Sequence, residues 1–399
     1  MRIGLFTDSY NPYVSGVSTS LFMLAEGLRK LGHEVFVITT TSKGAKEYDK
    51  NYPYIIRFKG IPIPKKGLKM FRYIPFTRRH LKKISQLNLD VIHVHTEFSM
   101  GGLALRFKKQ NNLPLVYTVH TMYEEYLHFV SKILAKINPK WMLTGVKKLM
   151  RKYISKAEVT IVPSRKIKEL MHSYQIEGDY QIVPTGIDLT KFQQKMYKKE
   201  DVNKLRNSLG IKDDEFVCLF VGRISIEKNI EVLLKGFKKL NCENTKLLIV
   251  GSGPHLKNLK ELTKKLEIGN KVIFTGLVPW DEIGPYYQIG DVFLNASKSE
   301  TQGLTYIEAL AAGLPLIVKY DKVLETVVED QVNGLFFYKA EQLPKLIQKI
   351  SQNKKLALQM AKDAVESVEK YSQENYALNA LNVYKKAIEI AQKQDLNSN

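Results

Sequence analysis

The chain has 399 residues, 44% of them hydrophobic and 25% charged, with 61 Lys and Arg against 40 Asp and Glu for a formal charge of +21. This is ordinary globular composition, which excludes a mainly disordered chain and a lone small module and allows two or three domains of roughly 100 to 200 residues, each with its own core. Cys218 and Cys242 cannot build a disulfide framework and point to a reducing compartment; the short apolar run before Asp8 is no secretory signal, and no stretch approaches roughly 18 uninterrupted apolar residues.

Short apolar runs alternate with longer periodic segments, the pattern of α/β domains with largely parallel sheets. Strands are expected at 3–6, 35–39, 54–58, 91–94, 115–119, 159–162 and 181–183, with a helix at 18–31 stopped by Gly32. The alternation restarts at 216–221, 247–250, 272–274, 292–294 and 316–318. After about 341 the strands stop, and consecutive helices run to about Gln392 before a frayed polar tail. Pro184-Thr185-Gly186-Ile187-Asp188 leads into a lysine-rich stretch, which places a hinge and a domain boundary near 185–212.

In open α/β sheets ligands bind beyond the carboxyl ends of strands, so the residues following each strand are the candidates. After the first strand a polar turn opens a helix, and Gly16 there lets backbone approach a phosphate, although an ordinary strand-to-helix turn has the same look. His120 follows the strand at 115–119, where a neutral imidazole can bond a substrate hydroxyl. His93 and His95 alternate along another strand, and no Cys or carboxylate cluster completes a metal site with them.

In the second half, Arg223 and Lys228 share the loop after 216–221 and suit a diphosphate; the plain alternative is two solvated cations paired with Glu227. Gly251-Ser252-Gly253-Pro254 suits either backbone contact with a nucleotide or a compact turn. Glu300 lies in a loop, Gly303, Leu304 and Thr305 open a helix, and Glu308 falls in its early turns before Gly313 stops it. Two carboxylates for sugar hydroxyls and helix-start N–H groups for phosphates then face one ligand. There is no D-x-D motif to hold a metal-nucleotide complex, so a site without metal is expected.

Gly16, His120, the 184–188 hinge, Arg223 with Lys228, the 251–254 turn and the Glu300/Glu308 pair occur in the order found in the GT4 family of retaining glycosyltransferases, which the chain resembles from residue 1 to about 392. Thr185 stands where many members have Asn. The resemblance implies the GT-B fold, two Rossmann-like doubly wound domains facing a deep cleft. Residues 1–195 would form the acceptor and membrane domain and 196–372 the nucleotide-sugar domain, with helices at about 373–392 crossing back onto the first.

It implies further that Arg223 and Lys228 hold the donor diphosphate with Gly16 closing on it, and that Gly251, Gly253, Gly303, Leu304 and Thr305 line the donor site. Glu308 would accept from the ribose hydroxyls, while Glu300 and His120 would be the catalytic pair at the transferred sugar. More narrowly, the stretches 93–101, 293–297 and 300–312 resemble the diacylglycerol glucosyltransferases of wall-less bacteria. That likeness implies transfer of glucose from UDP-glucose to 1,2-diacylglycerol to give α-monoglucosyldiacylglycerol. Another nucleotide sugar, or glucosyldiacylglycerol or phosphatidylinositol as acceptor, stays open.

Residues 1–200 hold 34 basic and 15 acidic side chains against 27 and 25 in 201–399, so the excess charge sits in the first half and asks for an anionic surface, nucleic acid or acidic lipid. No RNP, KH or helix-turn-helix signature favours nucleic acid. In 65–87, Lys65, Lys66, Lys69, Phe71, Arg72, Arg78, Arg79, Lys82 and Lys83 recur beside Leu68, Ile74, Leu81 and Ile84, which predicts an interfacial amphipathic helix divided at Pro75. Trp141, Lys147, Lys148, Arg151 and Lys152 suggest a second contact, or a helix packed on the sheet. The expectation is a peripheral protein on the cytoplasmic face of the cell membrane, held by anionic phospholipid without a transmembrane helix or nucleic acid. No cofactor is required, and stimulation by Mg²⁺ is left open.

Overall fold

The structure is a computed structural model describing residues 1–13, 15–63, 72–75, 78–120, 139–240, 242–297, 300 and 302–398, with 139–142 and 397–398 as backbone only. The chain divides into two compact units, Met1–Gly186 with Gln373–Asn399, and Ile187–Ser372. The division falls at Gly186 instead of 195, because Ile187, Leu189 and Phe192 pack into the core of the second unit with Tyr287 and Tyr306.

In the first unit the strands are β1 (Arg2–Phe6), β2 (Glu34–Thr40), β3 (Ile55–Phe58), β4 (Ile61–Pro62), β5 (Arg72–Tyr73), β6 (Val91–Val94), β7 (Leu115–Thr118), β8 (Val159–Val162) and β9 (Tyr180–Ile182). Seven of them form a parallel sheet in the order β3-β2-β1-β6-β7-β8-β9, while β4 and β5 pair separately as a short antiparallel ladder. β6, β7 and β8 are buried at every residue, as expected for central parallel strands covered on both faces.

The Gly16–Lys30 helix is capped by Ser15 and Ser18 and stops where Gly32 turns left-handed at φ 81°. The returning Gln373–Ser398 helix packs on it: a Cβ at Gly27 would lie 2.9 Å from both the Ala377 Cβ and the Gln373 carbonyl oxygen, so the helices meet where Gly27 has no side chain. This last helix continues past Gln392 to Ser398, and Asn112 Nδ2 donates to Asp395 Oδ1 at 2.7 Å in the stretch expected to fray.

Of the expected interfacial helix over 65–87, Arg72 lies in β5, Lys65, Lys66, Lys69 and Phe71 fall outside the described residues, and the described residues form a helix at Arg78–Ser85. Its apolar side is also spoken for: Ile84 is fully buried, and Leu81 and Leu87 pack on the core of this unit. Arg78, Arg79, Lys82 and Lys83 remain exposed.

In the Pro139–Ile154 helix, Lys147 folds over the Tyr174 ring at 4.4 Å, while Lys148, Arg151 and Lys152 are exposed and Met150 and Tyr153 are buried. This helix therefore packs on its sheet. Trp141 belongs to it, with its side chain outside the described residues.

The second unit contains β10 (Phe216–Val221), β11 (Thr245–Val250), β12 (Val272–Gly276), β13 (Val292–Asn295), β14 (Leu316–Lys319) and β15 (Gly334–Phe337), parallel in the order β12-β11-β10-β13-β14-β15. β15 lies beyond the last strand expected from the sequence; Gly334 lets it pass Leu316, whose Cβ would stand 2.9 Å from a Cβ at that position. Among the described residues no helix is long and apolar enough to cross a membrane.

Candidate active site

Each sheet reverses its strand order once, between β1 and β6 in the first unit and between β10 and β13 in the second, and ligands bind outside the carboxyl ends at such points. In the first unit Asp8 follows β1 and His95 and Thr96 follow β6. The Thr96 hydroxyl donates to Asp8 Oδ2 at 2.6 Å and the Met100 N–H to Asp8 Oδ1 at 3.0 Å. Burial still outweighs these bonds and pushes the Asp8 carboxyl up to about 6.

His120, after β7, lies with Nε2 2.9 Å from His95 Nδ1. Burial lowers the His120 imidazole to about 4, so it is neutral at physiological pH. His93 is no metal ligand here: its two nitrogens are 2.7 Å from the Tyr384 hydroxyl and 2.6 Å from the Thr118 hydroxyl. Among the described residues no group of three or more His, Cys, Asp and Glu side chains is arranged to hold a metal ion.

Gly16 is the first residue of its helix, and a Cβ there would meet nothing within 4 Å. Its lack of a side chain therefore answers to no packing inside this unit. Asp8 and Thr96 were not singled out from the sequence, and His93 and His95 were weighed there only as a metal pair; Asp8 does follow the first strand directly, which was the available signal.

In the second unit, Lys228 after β10 and Glu300 after β13 stand on the two strands that flank the reversal, and Lys228 Nζ reaches Glu300 Oε1 at 2.7 Å. The pair is well covered, with side-chain exposures of 22% and 11%. Losing one member would leave the other charge largely desolvated and unpaired. Glu227 instead accepts from the Ser225 hydroxyl, so the two solvated cations paired with Glu227 are not what forms. Arg223 is exposed on the same loop.

Gly303 caps the Leu304–Ala311 helix at φ 85°, with Leu304 and Thr305 supplying its first N–H groups. Glu308 in that helix is buried. The Tyr287 hydroxyl donates to its Oε2 at 2.6 Å and the Trp280 side chain donates as well; burial raises the carboxyl above its ordinary range, against these bonds and the Lys191 charge. Lys191 lies 3.4 Å over the Trp280 ring and donates to the Trp280 carbonyl at 2.6 Å. Lys191, Trp280 and Tyr287 carried no motif in the sequence, since they come from three separated segments.

Gly251 and Gly253 are accounted for by packing between loops. A Cβ at Gly251 would stand 2.0 Å from the Gly222 carbonyl oxygen and one at Gly253 2.1 Å from that of Ile224. The Ile224 N–H donates to the Ser252 carbonyl at 3.0 Å, so the two glycines bring one backbone against the other and hold the Arg223 loop in place. Of the two alternatives for this turn, compactness is the one these contacts explain.

Two Rossmann-like units, each with polar groups at its reversal point, are the architecture of the GT-B fold. Residues 14–191 match the model of Glycosyltransferase Family 4 and residues 201–367 that of the Glycosyl transferases group 1. The chain is 43% identical over 386 residues, 96% of each chain, to the alpha-monoglucosyldiacylglycerol synthase of Acholeplasma laidlawii. It is 40% identical to the protein of the same name from Streptococcus pneumoniae, over 85% of this chain and 75% of that one. The solved structure of Anabaena HepE in complex with UDP superposes with a TM-score of 0.76 at 17% identity, over 96% of this chain and all of the other. The chain belongs to glycosyltransferase family 4.

Proposed function

We propose that the protein transfers glucose from UDP-glucose to 1,2-diacylglycerol with retention of anomeric configuration, giving α-monoglucosyldiacylglycerol at the cytoplasmic face of the membrane. The observation that carries the reading is 43% identity over 96% of both chains to a protein named for this product. The site chemistry supports it. An incoming diphosphate would take Lys228 from Glu300, with Arg223 as its second cation, and release the Glu300 carboxylate to the hydroxyls of the transferred sugar.

Glu308 already accepts from Tyr287 and Trp280, which leaves lone pairs for ribose hydroxyls, and the N–H groups of Leu304 and Thr305 suit the phosphates. Neutral His120 would bond a substrate hydroxyl, and Gly16 would admit the donor closely. The leaving phosphate would deprotonate the acceptor, so no covalent enzyme residue and no metal are needed. Mg²⁺ would act, if at all, as a weak stimulant without a dedicated site.

Membrane contact would be electrostatic through Arg78, Arg79, Lys82 and Lys83, since the apolar side of that helix is used by the core. Each charge contributes ~1 kcal/mol at an anionic surface. Reversing all four to Glu should release the protein from acidic vesicles in flotation, and undiminished binding would move the contact elsewhere.

The activity is tested by offering labelled UDP-glucose, UDP-galactose and GDP-mannose with diacylglycerol or glucosyldiacylglycerol in mixed micelles. Label should appear in monoglucosyldiacylglycerol from UDP-glucose and diacylglycerol. Product from a different pair only would overturn the assignment.

A further inference from the structure

Beside His120 the first unit buries two further imidazoles, His93 and His95, that the proposed reaction does not use. His93 and His95 alternate on one face of β6 and its extension, and Thr118 and His120 do the same on β7, its sheet neighbour. The His93 and His95 rings lie 3.9 Å apart between centroids, and His95 and His120 stack at 5.2 Å. His93 is held at both nitrogens, by the Thr118 hydroxyl and by the Tyr384 hydroxyl of the returning helix. Either hydroxyl can donate or accept, so His93 is satisfied in either tautomer.

His95 is different. Its Nδ1 faces His120 Nε2 at 2.9 Å, and its Nε2 is buried without a hydrogen-bond partner. Burial holds all three imidazoles below their ordinary range and therefore neutral, so only one of the two facing nitrogens carries a proton. If His120 donated from Nε2, the proton of His95 would sit on its Nε2 as a buried N–H with no acceptor. If His95 donates from Nδ1, its Nε2 holds only an unmet lone pair. Orphaned buried donors are the rarer and more costly case, so the second arrangement is preferred.

We propose that His95 and His93 are positioning residues for His120: His95 donates to His120 Nε2 and so fixes the His120 proton on Nδ1, while His93, clamped by Thr118 and Tyr384, keeps the His95 ring in place. His120 then meets its substrate as a hydrogen-bond donor through Nδ1, to a hydroxyl oxygen, and its basic nitrogen is already occupied. The consequence for the reaction rests on the reading of His120 as a group that contacts the sugar or the reacting face. The tautomer does not rest on it.

The test uses the full chain, without ligand, labelled with ¹⁵N in the histidine rings, with the His120 signals assigned by their loss in His120→Gln. His120 should show a protonated Nδ1 and an unprotonated Nε2; a protonated Nε2 overturns the proposal, and this wild-type spectrum decides whether or not the His95 variants fold. His95→Leu should mix the two tautomers and lower kcat roughly tenfold with the donor KM within about twofold, the loss of one hydrogen bond felt in the transition state. His95→Asn, whose amide nitrogen can stand in for Nδ1–H, should restore both the tautomer and most of the turnover. An unchanged His120 tautomer in a folded His95→Leu protein overturns the proposal. Full turnover in His120→Ala would instead sink the substrate role of His120 while the wild-type spectrum still decides the tautomer.

Discussion

At the carboxyl end of the first sheet burial pushes Asp8 up to about 6 and His120 down to about 4, whereas at that of the second Lys228 and Glu300 meet as a well-covered ion pair. The first end is a network of short hydrogen bonds in which burial disfavours the charged forms, suited to orienting uncharged hydroxyls. The second holds charges that can exchange partners with an anionic ligand. One fold repeated twice therefore carries two electrostatic tasks, set by the loop residues at the strand ends and not by the sheets.

Glu300→Ala should break this division most severely. Transfer falls by roughly a hundred- to a thousandfold, the range for losing one preorganised polar contact in a transition state. UDP affinity in equilibrium titration stays the same or tightens, because Lys228 loses its internal competitor. Near-normal turnover would remove Glu300 from the reaction.

Gly251→Ala sharpens the comparison through packing. Its Cβ meets the Gly222 carbonyl oxygen at 2.0 Å and its φ is 138°, so clash and backbone strain together should cost roughly 4 kcal/mol, read from the denaturant midpoint.

Asp8→Asn probes the balance at the first end. Folded Asp8 keeps its proton up to about 6 against 3.8 in the unfolded chain, so its contribution to stability is present below 3.8 and falls as pH rises to about 6. Folded His120 is protonated only below about 4 against 6.5 unfolded, so its contribution rises over nearly the same window and offsets the first. Asp8→Asn keeps an acceptor for the Met100 N–H and should steepen the rise of stability between pH 4 and 6.5 by roughly 3 kcal/mol. Equal slopes in denaturant titrations of the two proteins would show that Asp8 does not carry this penalty.

The smallest effect belongs to Gly16→Ala, where a Cβ meets nothing: stability should change by less than about 0.5 kcal/mol. Donor KM should nonetheless rise severalfold if the donor approaches that backbone. A large loss of stability would reassign Gly16 to packing.

Several of these features were legible in the sequence. Strands such as 91–94, 159–162 and 216–221 coincide with their observed bounds, because central parallel strands are uninterrupted apolar runs. His120 was found because it directly follows such a run, and Lys228 and Glu300 because they stand in the loops after two others, Glu300 with Glu308 as a carboxylate pair. The edge strand β15 was passed over: Gly334-Leu335-Phe336-Phe337 is short and opens with a glycine, and its strand character comes from pairing with β14. The periodicity at 78–87 left the role of its apolar side open for a related reason. A basic and apolar stripe reads the same whether its apolar side meets lipid or the protein's own core, and here Ile84 meets the core.

By itself the sequence determined where apolar runs begin and end, which polar residues follow them, and which half carries the excess charge. All of these are properties of neighbours in the chain. Only the tertiary structure decided that Lys228 pairs with Glu300 across 72 residues, that Tyr287 rather than solvent holds Glu308, and that Tyr384 reaches His93 across 291. Those pairings follow from strand order and from the return of the last helix, and no local periodicity encodes which strand lies beside which.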